Sequence, residues 1–344
     1  LQHIKQLRYI DQLVLFKIRG VSNINLNISN EHEDSSRKQL IKQLRSIQTI
    51  GYYTLKSYAY PFFSVGTQKY KNLSFDALVT RYYRDQRFKE CTLQIIEDIE
   101  VALNSRIAYL LGKKYGPFGY QNFSLWCQRE GRNEFLNVSR VNKYFLAKEE
   151  LNFFRDLQNK VKKSSLKDVQ TFESESEKIY PSIWLTVNLL TLGTSIHLVK
   201  LMNGKLRRKL ASSFNCEVQE FIGWLECLNL IRNVCCHNGN LIDITLKTKP
   251  KVPEEFSDFI YSTELENGDC IYSNKIALPL AIAVKLMRTI NPKYRFEYLK
   301  KSVDKILDNT TTAEQIGFKS KNAMKNLFHT ELHKSNDFSI FFPY

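Results

Sequence analysis

Apolar residues recur at helical spacing along most of this chain. The longest run is Phe75 to Lys114, where Leu93, Ile96, Ile99, Leu103, Ile107 and Leu110 share a face. Gly112 and Gly116-Pro117 end it. Arg81, Arg84, Asp85, Arg87, Glu97, Glu100 and Arg106 fall at its polar positions, which predicts a solvent-facing side. Shorter helical patterns cover residues 4–18, 37–50 (after the acidic turn 31–36), 141–161, 280–290 and 294–307. Pro181 opens a predicted buried helix from Ile183 to Met202, whose Asn188, Gly193, Ser195 and His197 argue against a membrane span. Phe221 to Asn240 predicts another helix, capped by Ser212, Ser213 or Asn215 and closed by Asn238-Gly239-Asn240. Residues 162–178 read as an exposed connection. Thr311 to Glu314 predicts a capping box and a final helix. Period-two alternation stands out at Tyr261 to Ser273, around Asn267-Gly268, and predicts one hairpin. The chain is thus expected to be mostly α, with an N-terminal helical and aromatic domain (1–70), a central helical domain (75–245) and a C-terminal helical extension carrying the hairpin (250–344).

Charge narrows the partners. Lys and Arg exceed Asp and Glu by 15 in 344 residues, which favours a polyanion, most simply nucleic acid, over a membrane surface or an acidic protein. Lys205-Leu206-Arg207-Arg208-Lys209 is a compact basic cluster, and Arg106 lies on the long helix. In the aromatic stretch Gly51 to Phe63, Tyr52, Tyr53 and Lys56 are suited to stack and pair with an RNA strand. The alternative is that the stretch closes a small core. Seven scattered cysteines without a CxxC pair predict reduced thiols, as in a cytoplasmic protein, and no zinc site. His329 and His333 are the only ligand-spaced histidines and read as a solvated helix face. No apolar run follows the first residues, so no signal peptide is expected. Nothing in the chain calls for a cofactor or a metal.

The candidate chemistry lies in Arg232-Asn233-Val234-Cys235-Cys236-His237. Arg232 falls on the apolar stripe of its helix with Phe221, Trp224, Leu225, Leu228 and Cys235. A buried arginine needs an anionic partner, either a carboxylate or a ligand phosphate. Its planar fork suits phosphate oxygens, and His237 can exchange a proton near neutral pH. Arg232 and His237 are five residues apart, roughly 140° around an ideal helix, so side-chain length or an irregular helix end must bring them together. Asn233 and His237 are neighbours on one face.

The motif Arg232-Asn233-x-x-x-His237 resembles that of HEPN-superfamily ribonucleases, and its surroundings resemble the Abi-like abortive-infection proteins (the AbiD/AbiF group). Four further blocks resemble the family in order: Ile47 to Tyr58, Ile99 to Leu103 with Ile107-Ala108-Tyr109, Pro181 to Trp184 with Thr191-Leu192-Gly193, and Ile316-Gly317-Phe318. Three positions depart from it. Asn104 stands where the family usually has arginine, Asn188 about where it often has glutamate, and Asn240-Leu241-Ile242 replaces an Arg-Leu-Trp-like ending. The resemblance implies a HEPN-type helical bundle over residues 75–245 and metal-independent endoribonuclease activity in phage defence. Arg232 would be the phosphate clamp, His237 the acid or base, Asn233 the orienting residue, and Glu100 the acid that orients Arg232 or His237. It also implies a homodimer pairing two motifs, or a degenerate second half supplied by the long first helix within one chain, and a small structured non-coding RNA as a partner that restrains a toxin. A non-catalytic RNA-binding protein carrying a remnant motif is the alternative.

Overall fold

A computed structural model describes residues 7–26, 33–266 and 268–329. The chain is mostly helical, as the periodicity predicts. Its first apolar cluster is built by α1 (Tyr9–Ile18), α2 (Glu33–Ile50), α3 (Tyr52–Ala59), the hairpin of β1 (Phe63–Ser64) and β2 (Lys69–Tyr70), and the first turns of α4 (Phe75–Tyr115). Leu13, Phe16, Ile47, Leu55, Tyr58, Phe75 and Leu78 fill it. Residues 33–36, read as part of a turn before α2, belong to its first turn, where the negative Asp34 side chain complements the positive helix end.

α4 carries 41 residues, about 60 Å of helix at 1.5 Å per residue. Ser74 caps its start by accepting from Ala77 N at 3.2 Å. Its first turns belong to the N-terminal cluster, while Phe88 to Leu111 enter the larger second cluster. That cluster also takes in α5 (Phe123–Trp126), the irregular hairpin of β3 (Gly131–Asn133) and β4 (Val138–Val141), and α6 (Lys143–Lys162). Asn142 caps α6 through the N–H groups of Tyr144 and Phe145. The stretch read as an exposed connection contains α7 (Lys167–Glu175), which buries Val169.

The single helix expected from Ile183 to Met202 is two. α8 (Ile183–Thr186) runs into a short 3-10 turn, the chain extends at Leu190 and Thr191, and α9 (Leu192–Leu201) begins. The Thr191 hydroxyl accepts from Thr194 N, so a capping threonine wins over the continuous apolar pattern. α10 (Gly204–Ser212) and α11 (Val218–Cys236) follow. Glu217 caps α11, with Glu220 reaching back to its N–H; the expected caps Ser212, Ser213 and Asn215 precede it.

The hairpin of β5 (Ser262–Glu264) and β6 (Cys270–Tyr272) lies where alternation predicts it, although Asn267 at its turn is outside the described residues. Two further short hairpins, β1–β2 and β3–β4, join it. α12 (Ala277–Ile290) is buried nearly all round, as a central helix must be. α13 (Glu297–Ile306) and α14 (Lys321–Leu327) pack around it and α4, so residues 256–328 share one core with residues 88–246. The helix expected after Thr311 is only a 3-10 turn at Glu314–Ile316. It stops at Gly317, whose φ of 95° only glycine adopts freely. His333 lies outside the described residues. Among the described residues no helix is long and apolar enough to cross a membrane.

Candidate functional site

α11 delivers the motif at its C-terminal end. Leu225, Leu228, Ile231 and Cys235 bury one face. Arg232 is half-buried, and Asn233 and His237 are exposed. His237 is the residue at which the helix leaves its regular path, with its N–H still donated to the Asn233 carbonyl at 3.0 Å. Asn238 then turns left-handed at φ 54°. Gly239 N returns to the Val234 carbonyl at 2.9 Å, which satisfies an orphan carbonyl of the last turn.

Glu100 of α4 faces this helix. Burial pushes its carboxyl up, and the nearby Arg232 guanidinium and the Leu192 N–H, both favouring the charged form, partly offset that. The carboxylate therefore meets the first turn of α9 and acts on Arg232 at once. Among the described residues no direct ion pair or hydrogen bond holds the Arg232 head group, so its donors are open to an outside anion. No hydrogen bond joins Arg232 to His237. Gly193 of α9 lies against Asn229, one turn before Arg232, with the position of a Cβ only 3.5 Å from the Asn229 amide.

The segment after the motif is fastened from behind by charges that are buried. Asp85 of α4 is fully buried and accepts from Leu241 N at 3.1 Å, Ile242 N at 2.9 Å and the Tyr58 hydroxyl at 2.6 Å. Lys89, one turn on, lies 3.2 Å from the Asp85 carboxylate and donates to the Gly239 carbonyl at 3.0 Å. Burial raises the Asp85 carboxyl, while Tyr58, Lys89 and the Ile242 N–H oppose the shift. Burial also pushes the Tyr58 hydroxyl far up, so it stays a donor. Arg81 pairs with Asp243 at 2.6 Å and donates to Thr311, and Arg84 pairs with Asp308 at 2.5 Å. Asn240 reaches the Ser57 carbonyl at 3.2 Å. Arg81 and Asp85, assigned by pattern to the solvent side of the long helix, are instead buried in a polar band between the two apolar clusters. The missed residues are therefore Tyr58, Asp85 and Lys89. Their sequence signal is faint: a carboxylate and a lysine four apart usually form a surface pair.

Other sequence-selected residues divide by exposure. Lys205, Arg208 and Lys209 are exposed on α10. Arg207 turns inward, 8% exposed, where it donates to Gln128 at 2.7 Å and covers the Phe135 ring. Arg106 is drawn onto the Phe214 ring, 4.0 Å from its centroid, and donates to the Ser213 carbonyl. Tyr52 is buried in the N-terminal cluster, its hydroxyl accepting from Arg19 at 2.6 Å. Tyr53 is 78% exposed, and Lys56 lies over both it and Tyr60. The aromatic stretch thus closes a core with one face and shows a cation with two rings on the other. Asn104 is buried, donating to the Val187 carbonyl at 3.1 Å and accepting from Ser195 at 2.5 Å. Asn188 is exposed and donates to the Trp184 carbonyl of its own turn.

No curated protein and no solved structure matches the chain. The Abi-like protein family matches residues 45–243, from the middle of α2 through α11 to the Asn240–Asp243 segment that Asp85 and Arg81 hold. The match covers more than half of the sequence, and the chain belongs to the Abi-like family of abortive-infection proteins.

Proposed function

We propose that this protein is an RNA-binding, metal-independent endoribonuclease acting in phage defence. The observation that carries the reading is the state of Arg232: half-buried, facing the Glu100 carboxylate, yet with no protein group bonded to its donors among the described residues. His237 stands exposed one turn further on. The RNA supplies its own nucleophile, the ribose 2′-hydroxyl. That hydroxyl loses its proton to a base and its oxygen bonds to the phosphorus. The bond from phosphorus to the 5′-oxygen breaks, and an acid protonates the leaving oxygen. The products are a 2′,3′-cyclic phosphate and a 5′-hydroxyl. Arg232 stabilises the negative charge that builds on the phosphoryl oxygens. His237 serves as base or acid, and Asn233, beside it on the exposed face, orients the strand. Glu100 positions Arg232.

One imidazole cannot be base and acid in a single concerted step, so a homodimer that pairs two motifs supplies the second. Lys205, Arg208, Lys209 and Lys56 are the exposed cations that hold the RNA. A small structured RNA bound there would restrain the activity.

Purified protein incubated with total RNA in excess EDTA tests the reading. Wild type is expected to yield fragments ending in 2′,3′-cyclic phosphate, whereas Arg232→Ala/His237→Ala binds RNA and leaves it whole. Intact RNA with wild type, or equal cutting by the folded double variant, would sink the proposal and favour a binding protein with a remnant motif.

A further inference from the structure

A groove opens beside the N-terminal cluster, away from the motif. Lys38, Ile41, Lys42, Arg45, Ser46 and Thr49 of α2 form one wall, and Tyr83 of α4 the other, around a cavity of about 490 Å³. Three cations and the hydroxyls of Ser46, Thr49 and Tyr83 line it, that of Ser46 donating to the Lys42 carbonyl at 3.1 Å, and no acidic residue does. Lys38, Lys42, Arg45 and Thr49 recur at helical spacing and lie on one stripe. Lys38 is paired at 3.0 Å with Asp34, a highly exposed surface pair that a competing anion displaces at little cost. Lys42 and Arg45 are exposed and have no ion pair among the described residues. Tyr83 leaves 54% of its surface open. Its ring is held edge-on by Tyr82, which stands edge-on to buried Tyr58. A half-open ring beside a ladder of cations is an arrangement that binds single strands: the cations follow the phosphates and the ring stacks a base.

We propose that this groove docks a single-stranded stretch of RNA, with Lys42, Arg45 and the Thr49 hydroxyl on the phosphates and Tyr83 under a base. An acidic protein segment would match the charge but leave the aromatic wall without a role. Tyr83 and Glu100 lie 17 positions apart on α4, about 25 Å along the helix, so the groove is a separate site from the motif. The inference shares with the proposed function only the ligand class, not the chemistry.

The test uses a fluorescein-labelled 2′-O-methyl oligonucleotide of roughly 12 residues, which cannot be cut whatever the motif does. Binding to the full chain is followed by anisotropy across a salt series. Lys42→Gln/Arg45→Gln is expected to raise Kd at least about tenfold and to flatten the slope of log Kd against log salt by about 1.4, two phosphates at 0.7 each. Tyr83→Ala should raise Kd roughly fivefold or more, and Tyr83→Phe should stay near wild type. Lys148→Gln/Lys163→Gln, which removes two exposed cations at α6, should leave the slope unchanged. All the altered side chains are exposed, and circular dichroism checks that each variant is folded. Wild-type Kd and slope in the α2 double variant, wild-type affinity in Tyr83→Ala, or no binding by wild type would each overturn the proposal. Loss of binding in the groove variants, with no cleavage of total RNA by wild type, would keep this site and remove the ribonuclease reading.

Discussion

Replacing Lys89 by methionine tests whether the segment behind the motif is held electrostatically. The side chains of Lys89 and Asp85 are 4% and 0% exposed, so solvent screens the pair very little. Methionine keeps the length of the stem but removes the charge 3.2 Å from the carboxylate and the bond to the Gly239 carbonyl. Removing one partner of a buried pair costs about 3–5 kcal/mol, against a total stability of about 5–15 kcal/mol. Asp85→Asn in the same background should recover most of that loss, because the amide oxygen still accepts from Leu241 and Ile242 without a stranded charge. The pH dependence has a definite sign. Burial raises the Asp85 carboxyl above its unfolded value of 3.8, so between the two values the folded state holds more protons and stability falls as pH rises. Loss of Lys89 widens that window upward. Lys89→Met should therefore weaken more steeply with pH than wild type, and Asp85→Asn/Lys89→Met should lose this contribution. Urea unfolding followed by circular dichroism between about pH 5 and 8 measures all three proteins. A single variant within about 1 kcal/mol of wild type, or a double variant no more stable than the single, would refute the reasoning.

Tyr58→Phe removes a 2.6 Å hydrogen bond to the same carboxylate and should cost about 1.5–3 kcal/mol in urea unfolding; an unchanged midpoint would show that the bond carries no weight. Gly317→Ala should lower the unfolding temperature, since φ is 95° and the new Cβ would lie 2.8 Å from the Ser273 hydroxyl; an unaltered melt would contradict that. Iodoacetamide near pH 8 should modify exposed Cys236 and Cys270 and spare Cys227 and Cys235, whose thiols burial pushes up to about 12. Peptide mass mapping reads the pattern, and equal labelling of Cys235 and Cys236 in the folded protein would count against the burial assigned to α11.

Much of the helical frame was legible because burial imposes its period on the sequence. α4 shows this best: its apolar stripe ends near Gly112 and Gly116, and the helix ends at Tyr115. Where two signals compete, the pattern misleads. The stretch from Ile183 to Met202 stays apolar across a break set by one capping threonine. The basic run at 205–209 reads as uniform, yet α10 turns about 100° per residue and carries Arg207 inward beside Leu206 and Leu210. The spacing of Leu206, Leu210 and Ala211 contains that information, because Arg207 falls within their arc. The Asp85–Lys89 pair is harder. Nothing local distinguishes it from a surface pair, since its need arises from backbone N–H groups at 241 and 242, over 150 positions away.

That distance explains why the resemblance spreads over so many blocks when the candidate chemistry occupies six residues. The block from Ile47 to Tyr58 ends on the hydroxyl that meets Asp85, which holds the N–H groups just beyond His237. Within the Pro181 to Gly193 block, Thr191 starts α9, the Leu192 N–H meets Glu100, and Gly193 lets α9 approach Asn229. Ile316-Gly317-Phe318 turns the chain so that Phe318 fills the core against Phe328. An arginine with unsatisfied donors is costly to hold half-buried unless its surroundings are fixed. Several of these blocks supply that fixation, and the N-terminal aromatic stretch belongs to it as much as α11 does. A truncation that removes residues 1–70 should accordingly loosen the turn after His237, because the Asp85 carboxylate would lose Tyr58 and Asn240 would lose the Ser57 carbonyl.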